Sequence, residues 1–115
     1  MKKIIIIAVV LFTTVSIHAQ KNNYIEKRVK IVSEHIATEM NLTKDQAAFL
    51  AVTLYEKYSS NAGKIKGKNI SKEERKEIYR AAFITTKEKL SEQFSKKEIT
   101  QISKLERLKQ KELNN

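Results

Sequence analysis

The stretch MNLTKDQAAF, Met40 to Phe49, decides the fold. Thr43 stands three residues before Gln46, at the head of a run without charge. The first four N–H groups of an α-helix have no acceptor within the helix. A threonine side chain can accept from the N–H three residues on, and a glutamine there can reach back to the threonine's own N–H. Thr43 and Gln46 therefore predict a helix start at about Lys44. Leu42, just outside, is placed to pack down onto the new helix, and Asn41 supplies a break after the preceding one.

The flanks agree. Before the cap, Ile25, Val29, Val32, Ile36 and Met40 make one helical stripe, and Lys27, Arg28, Lys30 and Glu34 fill the opposite face. A first helix from Tyr24 to Met40 follows. After the cap, AAFLAVTLY (47–55) carries no charge and predicts a second helix, about Lys44 to Ser60, buried on most of its circumference. A buried strand is the rival, because Val, Phe, Thr and Tyr all suit it. The capped start and the alanines and leucines favour helix.

Gly63 suits the C-terminus of that helix. NAGKIKGKN (61–69) then reads as a loop, with Lys64, Lys66 and Lys68 unopposed by any nearby acid. It is not a phosphate-binding loop. Three rather than four residues separate its glycines, and Asn69 follows Lys68 where Ser or Thr is required.

The cap pattern returns as ISKEE (Ser71, Glu74) and FSKKE (Phe94, Ser95, Glu98). Matches beginning at Val52, Ile84 and Ile102 fall inside strongly helical stretches, so context rather than the pattern carries the inference. A third helix from about Lys72 has Ile78, Ala82, Phe83, Thr86 and Leu90 on its expected buried side, with Tyr79 beside them. No glycine or proline divides 72–112. That span is one long helix or two with a kink or sharp turn, and the Ser95/Glu98 pair favours two. The last segment is expected to bury Ile99, Ile102, Leu105 and Leu108, and KQKELNN (109–115) to fray.

The chain of 115 residues has no proline, no cysteine and two glycines. It predicts an all-α fold, a small antiparallel bundle or hairpin of about four helices. Four short helices cannot bury this much apolar surface, so some is expected to stay exposed or to enter a homodimer interface.

Residues 1–19 are read apart, as a cleaved secretory signal: Lys2 and Lys3, the apolar run Ile4 to Phe12, and a more polar end at Ala19. That run is too short to span a bilayer, which needs roughly 20 apolar residues. Residues 20–115 are then one helical domain, exported to the periplasm or secreted, without disulfides or stable membrane insertion. The formal charge is +10; without Lys2 and Lys3, 21 basic residues face 13 acidic ones, a surplus of +8. Acidic partners such as unfolded acidic chains are favoured, and nucleic acid is not expected in that compartment.

No catalytic, cofactor or metal site is expected. His35 beside Glu34 and Glu39 offers too few nitrogen or sulfur ligands for a metal. Glu73, Glu74 and Glu77 suit a helix N-terminus and ion pairing with Arg80. No serine or cysteine lies in a nucleophile context. Of the aromatics, Phe49, Tyr55, Tyr58, Tyr79, Phe83 and Phe94 lie mostly on apolar stripes and are expected to be core for the most part.

LTKDQ (Leu42, Thr43, Gln46) is similar to the Leu-Thr-x-x-Gln motif of the Spy/CpxP-like periplasmic proteins. The resemblance spans most of residues 24–108. It includes a leader, a preceding amphipathic helix and a second motif copy at FSKKE, which differs at all three signature positions by chemically similar residues. The resemblance implies thin helical hairpins that dimerise into a cradle. It also implies an ATP-independent envelope-stress chaperone for unfolded clients, with a regulator of a sensor kinase or other envelope component and a metal-binding stress protein as the alternatives. Metal-binding relatives carry histidine-rich segments that are missing here. Lys64, Lys66 and Lys68 are the residues expected to steer acidic chains, and Tyr79 and Phe83 those expected to hold them.

Overall fold

The computed structural model describes residues 23–115; the leader read at 1–19 lies outside the described residues. Four helices follow one another: α1 (Asn23–Met40), α2 (Lys44–Ile65), α3 (Lys72–Leu90) and α4 (Lys96–Asn114). The described residues contain no strand. The protein is an all-α bundle.

Three helix starts are capped in the same way. Thr43 Oγ1 accepts from the Gln46 N–H at 3.1 Å, and Gln46 Oε1 accepts from the Thr43 N–H at 3.1 Å. Ser71 and Glu74 repeat this at 3.1 and 3.1 Å, and Ser95 and Glu98 at 3.2 and 2.8 Å. Each box satisfies two donors that the helix leaves open. At α4 the box is joined by an apolar clamp. Phe94, just before the cap, and Ile99, in the first turn, are both buried in the same core.

The chain leaves α1 through Asn41, whose φ of 55° is left-handed. The Leu42 N–H donates to Ala37 O at 2.9 Å and the Asn41 N–H to Thr38 O at 3.3 Å. These two bonds close the helix's last carbonyls, and asparagine tolerates this backbone better than most residues.

α3 and α4 are separate helices, divided by the turn at 91–95. The Gln93 and Phe94 N–H groups both donate to Leu90 O, at 3.0 and 2.9 Å. No breaker residue is needed, because burial of Leu90 and Phe94 together with the Ser95 cap fixes the turn.

Two expected boundaries move. α2 does not stop near Ser60 at Gly63 but runs to Ile65, placing Lys64 on the helix. The loop shortens to 66–71, and Gly67, with φ 72°, takes the left-handed position. Gly63 is a helical residue, and a Cβ there would meet nothing within 4 Å. Gly63→Ala is therefore expected to stabilise the fold by about 1 kcal/mol, read as a higher urea midpoint at unchanged slope. The last segment is helical to its end: α4 continues to Asn114, and Leu113 packs against the core.

α1 packs against α2 on one side and α4 on the other, and α3 packs against α2. The core is closed by Val32, Ile36, Leu50, Leu54, Leu90 and Ile102, all fully buried. The α1 stripe is as patterned, with Ile25 and Met40 half-buried at its ends. α2 is less enclosed than its uncharged run suggested, since Ala48 and Val52 face outward. On α3 only Thr86 and Leu90 are buried; Phe83 is 43 % exposed rather than core. The reason is the partner count, since the one extended packing surface of α3 is against α2. On α4, Leu108 is exposed and Glu106 is buried in its place.

Candidate functional site: a basic, aromatic cleft

α3 and α4 share no extended contact and separate from the 91–95 turn, leaving a cleft between them. Tyr79 and Phe83 stand four residues apart on α3, so they share one face, and both line this opening. They are 51 % and 43 % exposed. The opposite wall is α4, with Arg107, Gln110 and Lys111, continued by Tyr24 and Arg28 of α1. Lys57 and Gln110 line both halves of the cleft. The wider half is a groove of about 780 Å³ under Tyr79, with Ile25, Tyr58, Ala62 and Ile65 among its lining residues.

A polar network underlies the cleft. Glu106 accepts from Lys57 Nζ at 3.1 and 3.0 Å and from the Tyr58 hydroxyl at 2.7 Å. Both side chains of the ion pair are largely buried, so the carboxylate is fully engaged from two sides. Burial first, then the charge and hydrogen bond of Glu106, hold the Tyr58 proton far above the usual tyrosine range; Arg28 acts in the opposite sense. Arg28 donates to Gln110 Oε1 and Asn114 Oδ1, and at 3.0 Å to the Tyr24 hydroxyl. The bonds to Gln110 and Asn114 tie the start of α1 to the end of α4.

The charge balance of the cleft is one-sided. Among the described residues, Arg28, Lys57, Lys66, Arg107 and Lys111 line it, against the single side-chain carboxylate Glu106, which Lys57 already neutralises. Lys87 adds a further cation 5.3 Å from the Phe83 ring centre.

The three loop lysines are not brought together. Lys66 joins Tyr79 in the groove. Lys64 lines a separate depression between α2 and α3 that also includes Thr86 and Lys89. Lys68 is exposed in the turn. The cap residues Leu42, Thr43, Gln46, Ser71, Glu74, Phe94, Ser95 and Glu98 build helix starts and lie outside the cleft lining. Glu77 pairs with Arg80 at 4.0 Å in open solvent, which contributes little. His35 is half-buried, and no three of His, Cys, Asp and Glu gather among the described residues as a metal would need. No helix among them is long and apolar enough to cross a membrane.

Glu106, Lys57 and Arg28 are the residues sequence reasoning did not single out. Glu106 carried a usable signal: it lies on the stripe Ile99, Ile102, Glu106, where an acid interrupts an apolar face. Leu105 packs against the core as expected, whereas Leu108, expected to be buried, is exposed.

Set against known families, characterised proteins and solved structures, the chain matches none.

Proposed function

We propose that this chain is an exported, ATP-independent holding chaperone that keeps unfolded, acidic protein segments in the cleft between α3 and α4. One observation carries the reading: Tyr79 and Phe83 stand half-exposed opposite a wall of cations, and the only side-chain carboxylate in the cleft among the described residues is already paired. Unpaired cations draw acidic chains in and raise the rate of encounter. Exposed aromatic surface then holds apolar side chains without a fixed sequence. Each contact is small, so release is passive. The leader read at 1–19 and the resemblance of LTKDQ to the Spy/CpxP-like proteins favour the same activity in the periplasm. The half-exposed apolar residues elsewhere, Ile31, Val52 and Ile84 among them, suit a homodimer interface.

The test is suppression of aggregation of a chemically denatured acidic protein. Replacing both Tyr79 and Phe83 by serine is expected to raise the concentration needed for half-suppression about tenfold, because the aromatic area available to a client is lost. The helix should survive, since both side chains are already half in water. High salt should weaken the wild-type protein and the variant alike, because the serine substitutions leave the cations in place. Full activity in the serine variant, with no dependence on salt, would contradict the proposal. Capture of one partner at fixed stoichiometry, with no effect on denatured clients, would replace it by a regulatory reading.

A further inference from the structure

Arg28 is half-buried at the head of the groove, and every acceptor it meets is neutral: a Gln110 amide oxygen, an Asn114 amide oxygen and the Tyr24 hydroxyl. Among the described residues no carboxylate pairs with it. Residues 1–22 contain no Asp or Glu, so their side chains supply none either. The contrast with Lys57 is direct, since that neighbouring cation has its carboxylate at 3.0 Å. Neutral acceptors hold the guanidinium in place but leave its charge uncompensated, and a partly desolvated cation attracts an anion strongly.

The surroundings say which anion. Beside Arg28 the groove continues over Ile25, Tyr58, Ala62, Ile65 and Tyr79, with Lys66 as a second cation. A volume of about 780 Å³ is ample for one large side chain and its flanking backbone.

We infer that this end of the cleft is a carboxylate subsite, and that it selects peptide segments in which an Asp or Glu lies next to a large apolar residue. Arg28 takes the carboxylate, and the apolar neighbour covers Tyr58, Ala62 and Ile65 beneath Tyr79. The inference rests on the holding reading and deepens it by naming the segment held.

The experiment uses fluorescently labelled octapeptides, acetylated and amidated so that one glutamate beside one phenylalanine is the only carboxylate. Twins replace that glutamate by glutamine or that phenylalanine by serine. Anisotropy titrations with the full chain are expected to give binding about tenfold weaker for the glutamine twin, the scale of one charge-assisted hydrogen bond. The serine twin should weaken similarly. In Arg28→Gln the glutamate and glutamine peptides should bind alike, and Arg28→Lys should retain part of the difference. Should Arg28→Gln fail to fold, the wild-type ratio decides alone. Equal binding of the glutamate and glutamine peptides to the wild type would overturn the subsite and leave the holding reading in place. A ratio unchanged in folded Arg28→Gln would do the same. No peptide binding together with no suppression of aggregation would overturn both.

Discussion

Glu106→Ala is expected to lower the stability of this fold by about 3–5 kcal/mol, because it leaves a buried ammonium without its counter-ion. Lys57 and Glu106 meet at 3.0 Å with side chains 16 % and 10 % exposed, so neither charge is well served by water. The substitution also removes the acceptor of the Tyr58 hydroxyl. Two orphaned groups then remain at the junction of α2 and α4. The penalty reflects those groups rather than the net worth of the pair. Replacing both partners by apolar residues of similar size, Lys57→Met with Glu106→Leu, should therefore recover most of the loss. Glu112→Gln, which breaks the exposed Lys109–Glu112 pair, should change stability by less than about 0.5 kcal/mol. Urea unfolding followed by circular dichroism separates these cases. A loss under about 1 kcal/mol for Glu106→Ala would mean that water reaches Lys57 freely.

Phe94→Ala is expected to cost about 3–5 kcal/mol, as truncation of a buried phenylalanine does. Phe94 is 5 % exposed, and its ring lies 6.3 Å from that of Phe49. It performs two tasks. It fills the core between α2 and α4, and it stands just before the Ser95 cap, where it helps turn the chain between α3 and α4. Its loss should thus loosen the vertex of the cleft as well as the core. Domains of this size are stable by only about 5–15 kcal/mol, so the variant should unfold at much lower urea. Phe83→Ala makes the control. That ring is 43 % exposed, and its removal should cost far less. Similar losses for the two would contradict the assignment of Phe94 to the core and Phe83 to the cleft.

The helix starts were legible because capping is local. Thr43/Gln46, Ser71/Glu74 and Ser95/Glu98 announce themselves within four residues, and all three carry both bonds in the structure. The α1 stripe was equally legible, because the contacts with α2 and α4 draw on the same apolar positions, Val29, Val32 and Ile36. The end of α2 was not. Gly63 costs a helix interior about 1 kcal/mol, and Ile65 and the packing of α3 outweigh that. The exposure of Phe83 also escaped local reading, because periodicity gives the apolar face of a helix but not how many neighbours cover it. The polar network is the least legible part of the site. Arg28, Lys57 and Glu106 come from three helices, and nothing in the chain order pairs them.

The most direct test of the cleft as the client site is an NMR titration of the isotope-labelled protein with an unfolded acidic chain at low salt. Shift changes are expected to gather at Arg28, Tyr79, Phe83, Arg107 and Lys111, and to fade as salt is raised. Changes confined to the other exposed apolar positions, Ile31, Val52 and Ile84, or no change at all, would contradict the account.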